Sequence, residues 1–114
     1  MNLIDSSHSK LLAKTMDAYS LRQKVTATNI ANADTPGYMW HEVYFEEALS
    51  EAMDTVGVNK NMNVNPSIVK TDQNVILEDE LIEQSDTQIR FQVVTKALRH
   101  HYNLVRNGIT GNNR

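Results

Sequence analysis

Few side chains in this 114-residue chain could carry chemistry, and their spacing argues against most of it. His100 and His101 are adjacent. On a helix they point about 100° apart and cannot hold one ion together, whereas helical metal pairs sit at i,i+3 or i,i+4. His8 and His41 stand alone. Glu78, Asp79, Glu80 and Glu83 could pose as catalytic carboxylates. Crowded at the start of a helix, they better suit its dipole on a solvated face. Ser6 and Ser7 neighbour His8 without a glycine-rich elbow or an oxyanion-forming context. The four glycines are scattered, so no loop cradles a phosphate. With no cysteine there is neither disulfide nor thiolate chemistry. These residues define no enzyme, no metal site and no cofactor site.

Composition narrows the classes further. A chain of this length is one domain or less, and this one is lean in apolar residues. A net charge of −3 argues against a nucleic-acid surface, which is usually basic. No run of about 18 apolar residues exists, so direct membrane insertion is not expected. The first residues, MNLIDSSHSKLLAK, have neither a basic start nor a continuous apolar stretch, and are expected not to form a cleaved signal peptide.

What remains is architecture, and residues 25–38, VTATNIANADTPGY, organise it. The first half continues a helical pattern; the second half is a compact stop. Asn32 and Asp34 can fold their side chains onto local backbone N–H groups. Pro36 lacks an N–H and pushes Thr35 out of helical angles. Gly37 can take the positive φ that a type II Pro-Gly turn requires. Before this stop, with Asp5, Ser6 and Ser7 as N-cap candidates, Leu12, Met16, Tyr19, Thr26, Ile30 and Ala33 follow a four–three spacing, Gln23 filling the gap. The spacing predicts a first helix over about 6–32, about 40 Å long, with a stripe too thin to stabilise it alone.

Residues 38–44, YMWHEVY, are aromatic and β-branched enough for a short extended segment. The preferred reading is an apolar patch that tacks the loop onto the helices. Phe45, Ala48, Leu49, Ala52, Met53 and Val56 predict a short amphipathic helix over about 45–55, with Glu46 and Glu47 in its first turn and Gly57 as C-cap. Residues 58–73 read as an Asn-rich loop with at most a short strand at 67–70. A second long helix is expected over about 74–109. Leu77, Leu81, Phe91, Val94, Leu98, Tyr102, Val105 and Ile109 form its stripe, with Gln84 and Gln88 in the middle and Gly108 and Gly111 ending it. The fold class is mainly α: long terminal helices paired antiparallel as a coiled-coil-like hairpin, with the short helix and the loop or short β segment of residues 33–73 between them.

The string Asn29-Ile30-Ala31-Asn32-Ala33-Asp34-Thr35-Pro36-Gly37-Tyr38 resembles the N-terminal signature of bacterial flagellar axial proteins, roughly N-I-A-N-x-x-T-x-G-Y. Its matching positions are Asn29, Ile30, Ala31, Asn32, Thr35, Pro36, Gly37 and Tyr38. Leu21-Arg22-Gln23-Lys24-Val25 before it, Asn74-Val75-Ile76-Leu77-Glu78-Asp79-Glu80, and Val105-Arg106-Asn107-Gly108-Ile109-Thr110-Gly111 extend the likeness to the flagellar basal-body rod family, and within it to proximal rod members. The resemblance implies a non-enzymatic structural subunit, residues 1–114 forming one rod-subunit domain. It implies polymerisation through the terminal helices into the drive shaft that carries motor torque across the periplasm. It also implies export by the flagellar type III apparatus without a cleaved signal peptide. The implied partners are copies of itself, the rod proteins FlgC, FlgF and FlgG, FliE, and the membrane-ring protein FliF. The expected assembly interface comprises Leu12, Met16, Tyr19, Ile30, Phe91, Val94, Leu98, Tyr102, Val105 and Ile109. The rival reading is a self-contained helical-hairpin adaptor or export-chaperone-like module. A metal or pH sensor built on His100 and His101 is weaker.

Overall fold

A computed structural model describes residues 3–56 and 64–110 of the chain. The elements run α1 (Leu3–Ala31), β1 (Met39–Tyr44), α2 (Glu46–Val56), β2 (Ser67–Asn74) and α3 (Leu77–Thr110). The protein is mainly helical, with one small antiparallel sheet. Gly57, residues 58–63 and Gly111 lie outside the described residues, as do the side chains of Asp5, Ser6, Ser7, His8, Met53, Val56 and Ile109.

The stop after α1 is built much as its residues dictate. Tyr38 N donates to Thr35 O at 3.2 Å across Pro36-Gly37, and Gly37 has φ +80°, the geometry of a type II turn. Asn32 acts differently from the expectation. Its Nδ2 donates back to the Thr28 carbonyl at 2.9 Å and its Oδ1 accepts from Thr35 Oγ1 at 3.1 Å, so it closes the helix through a carbonyl rather than an N–H. At the other end, α1 begins at Leu3, ahead of the candidate caps.

Residues 39–44 form a strand and not merely an apolar patch. β1 pairs antiparallel with β2, with His41 opposite Lys70 and Tyr44 opposite Ser67. The register shifts between Met39, which faces Asn74, and His41. The extra β2 residues are held where Thr71 Oγ1 donates to the Trp40 carbonyl at 2.8 Å and accepts from Gln73 N at 3.1 Å. Thus β2 runs to Asn74, well past 70, and α3 starts at Leu77, not about 74. Gly108 lies inside α3 rather than ending it.

α1 and α3 pack together, and their polar pairs fall in reverse order along the two helices. Ser9 meets Tyr102, Arg22 meets Glu83, and Asn29 meets Glu80. The molecule is long and thin, 60 × 32 × 14 Å, with a radius of gyration of 17.5 Å. A globular chain of this length would have about 13 Å.

Its buried apolar set among the described residues is correspondingly small: Ala18, Tyr19, Val25, Val43 and Phe45. The expected seams hold in part. On α1 Tyr19 and Thr26 of the seam are buried, but so are Ala18, Val25 and Asn29, each one position before a seam residue, while Leu12, Met16, Ile30 and Ala33 are half-buried. On α3 Glu80 and Thr87 are buried, and Leu77, Leu81, Gln84, Gln88 and Tyr102 are exposed. Phe91, Val94, Leu98 and Val105 are half-buried. Steps of four and three through Thr87, Phe91, Val94, Leu98, His101 and Val105 trace one face of α3.

Candidate functional site

Asn29, the first residue of the signature, is 1% exposed and uses every hydrogen-bonding position of its amide. Nδ2 donates to the His41 carbonyl at 2.8 Å and to Glu80 Oε1 at 2.7 Å. Oδ1 accepts from Tyr38 Oη at 3.2 Å and from His41 N at 3.3 Å. One helical side chain therefore clasps the turn, β1 and the start of α3. Its bond to His41 is reciprocal, donor to carbonyl and acceptor to N–H, the pattern of a neighbouring strand.

Glu80 is the charged side of this node, at 4% exposure. Burial raises its carboxyl above the ordinary carboxylate range, while hydrogen bonds from Asn29 and the Trp40 indole pull the other way. The dipole role on a solvated face suits Glu78 and Asp79, which are exposed, but not Glu80, which the fold buries.

Below this node Arg22 makes a second junction. Nη1 and Nη2 donate to the two oxygens of Glu46 at 2.8 and 2.7 Å, and Nη2 also donates to the Val43 carbonyl at 3.1 Å. Its Nε lies 3.7 Å from Glu83, and its guanidinium sits 5.7 Å from the Tyr19 ring centroid. The forked bond to Arg22 holds the Glu46 carboxyl below its ordinary range, and the same bond raises the Arg22 guanidinium. Arg90 reaches Tyr19 and Asp86, which raise its guanidinium in turn.

Arg22, Glu46, Glu80, Glu83, Asp86 and Arg90 line a cleft of about 310 Å³ between α1, β1, the start of α2 and α3. Its chemistry is cohesive rather than reactive. The Glu46 and Glu80 carboxylates are engaged by arginine, amide or indole. The His41 Nδ1 lies 2.8 Å from the Met39 carbonyl and donates to it. Among the described residues no group of three or more His, Asp or Glu could hold a metal ion, and no helix is long and apolar enough to cross a membrane.

The signature residues thus divide. Asn29 and Tyr38 meet at the node; Asn32, Thr35, Pro36 and Gly37 shape the turn; Ile30 is half-buried and Ala31 exposed. Sequence reasoning missed Arg22, Trp40, Glu46, Glu80 and Thr87. A signal was present: a four–three series of polar residues in phase with Phe91 and Leu98. Of the expected interface residues, Tyr19 is buried and Tyr102 exposed. Leu12, Met16, Ile30, Phe91, Val94, Leu98 and Val105 are half-buried, and the Ile109 side chain lies outside the described residues.

A slender pair of helices, locked at one end by the Asn29 amide and the Arg22 fork, frames the molecule. Residues 12–38, spanning most of α1 and the turn, match the family described as flagella basal body rod protein. The chain is 31% identical over 131 residues to the flagellar basal body rod protein FlgB of Borrelia hermsii, covering 92% of this chain and 96% of that one. It is 26% identical over 117 residues to the FlgB protein of Bacillus subtilis (strain 168), covering 88% and 91%. The chain belongs to the flagellar basal body rod protein family and is a structural, non-enzymatic component of the flagellar basal body.

Proposed function

We propose that this rod component builds the proximal rod, polymerising through its terminal helices into the periplasmic drive shaft that transmits torque. The observation carrying the reading is the thinness of the molecule. Its described side chains leave Leu12, Met16, Ile30, Phe91, Val94, Leu98 and Val105 half-covered along a 60 Å body, where neighbouring subunits complete their burial. Residues 1–114 act as one rod-subunit domain, its long helices an antiparallel coiled-coil-like hairpin. Tyr102 and Ile109 extend the same assembly surface, and Tyr19, buried within the subunit, supports it from inside. A contact of this kind that does not close on itself generates a helical tube.

Copies of itself, FlgC, FlgF, FlgG, FliE and FliF are its neighbours in this reading. The flagellar type III apparatus exports it without a cleaved signal peptide. The test is Leu98→Asp in a strain lacking the native subunit, scoring secretion of the subunit and recovery of rod-containing basal bodies. A charge on a face that assembly buries costs several kcal/mol. Secreted subunit with basal bodies halted before the distal rod, and non-motile cells, is the expected result. Normal rods carrying the substitution would overturn it and favour the self-contained adaptor.

A further inference from the structure

α3 carries a second apolar stripe, apart from the face that meets α1. Ile82, Ile89, Val93 and Leu104 are 68, 60, 61 and 58% exposed, and Ala97 among them is exposed too. At about 100° per residue these five fall within about 80° of one another, and about a third of a turn from Glu80, Thr87, Val94 and Leu98. Scattered exposed apolar residues need no explanation, but a row about 33 Å long does.

The row is symmetric about its middle. Laid antiparallel on a copy of itself with Val93 at the centre, it places Ile89 against Ala97 and Ile82 against Leu104. Asp86 falls against His100. The charges obey the same symmetry. The exposed acids Glu78, Asp79 and Asp86 occupy the first half of α3 and the exposed bases Lys96, Arg99 and Arg106 the second; Arg90, which this register sets opposite Lys96, is already paired with Asp86 at 3.0 Å. Antiparallel pairing sets acidic half against basic half at both ends, whereas parallel pairing sets like on like. The outward face of α1 is a poorer occupant: the exposed residues there are the charged Lys10, Asp17 and Lys24 and the small Ala13, Ala27 and Ala31, with no large apolar side chain among them.

We propose that α3 binds the α3 of a second copy, antiparallel and centred on Val93, to give a closed two-fold dimer of the unassembled subunit. An isologous contact uses one patch on both partners and stops at two. The dimer therefore covers the stripe without nucleating a tube. It does not rest on the rod reading, which stands if the dimer is absent.

The chain has no cysteine, so single substitutions report the geometry directly. Purified full-length Val93→Cys, Ile82→Cys and Leu104→Cys are oxidised in solution, after circular dichroism has confirmed unchanged helix content. Facing residues at a two-fold axis meet the short Cα separation a disulfide needs; residues a helix length apart do not. The expected pattern is covalent dimer for Val93→Cys alone, none for Ile82→Cys or Leu104→Cys alone, and dimer when those two are mixed. Sedimentation of the unmodified chain should show a dimer that Val93→Glu abolishes. Self-crosslinking at all three positions would mean parallel pairing and overturn the proposal. So would no crosslink at Val93→Cys with a monomeric unmodified chain.

Discussion

Asn29→Asp tests the buried node most sharply, because it changes almost no volume. The substitution turns Nδ2, 2.7 Å from Glu80 Oε1, into a second carboxylate oxygen. Two carboxylates that close in a buried site cannot both stay ionised, so the folded protein must keep a proton there. Holding a proton at pH 7 on a group whose ordinary pKa is near 4.3 costs about 1.4 kcal/mol per pH unit, or about 3.7 kcal/mol. The retained proton restores one donor. The bond to the His41 carbonyl is lost, adding about 1 kcal/mol. The expected loss is therefore about 4–5 kcal/mol at pH 7.

Its sign with pH follows from linkage. The pair titrates above its unfolded value, so the variant's stability is fully present below that value and lost as pH rises through the folded one. Between pH 7 and pH 5 the penalty relative to the parent should shrink by about 1.4 kcal/mol per unit. Urea unfolding followed through Trp40, the single tryptophan, measures it. Adding Glu80→Gln exchanges the donor and acceptor roles across the contact. That double variant should regain most of the loss and shed the pH dependence. A penalty below about 1 kcal/mol at pH 7, or one that does not shrink on acidification, would refute the reasoning.

Four further outcomes are expected. Arg22→Lys keeps the charge but cannot fork onto Glu46 while reaching Val43 O, so urea unfolding should show a loss of about 1–3 kcal/mol. Arg22→Ala should also remove the acid-side loss that Glu46 brings: its depressed carboxyl contributes stability above the unfolded value, and that contribution fades as pH falls through the folded one, which NMR titration of Glu46 can follow. Gly37→Val should cost about 1–3 kcal/mol in thermal unfolding and Gly37→Asn clearly less, because nothing lies within 4 Å of an added Cβ and only the φ of +80° resists. Hydrogen exchange on the subunit, at dilutions where sedimentation shows the monomer, should be rapid across both long helices and slowest around Asn29 and Val43; strong protection throughout a proven monomer would point to the adaptor instead.

The helices and the turn were legible because their signals are local. The Asn32–Gly37 cluster forces a stop wherever it lies, and Gly37 takes the left-handed angle its position after Pro36 demands. The strand β2 was legible only in part, since Ile68 and Val69 are both exposed and no alternation marks a buried side. The start of the α3 stripe was misplaced for a different reason. Apolar periodicity finds an apolar seam, and the buried positions there, Glu80 and Thr87, are polar, as is Asn29 near Thr26 on α1. Leu77 and Leu81 took their places on paper and face solvent in the fold. The three–four spacing of Glu80, Glu83 and Thr87 marks their shared face, but not the partners far off in sequence that such a polar centre depends on.

The reciprocal bond between Asn29 and His41 has a consequence for how this protein can meet an extended peptide. A two-stranded sheet has two open borders, each a template on which a further strand can grow. At the middle of β1 that border is already occupied by a side chain that supplies both the donor and the acceptor of a visiting backbone. Strand addition along β1 must break a buried amide contact, and with it the link to Glu80. The border of β2 is guarded more cheaply, by the exposed charges of Lys70 and Asp72, which a visitor of matching charge could satisfy. The small sheet is thus sealed on the side facing the helices and selective on the side facing out.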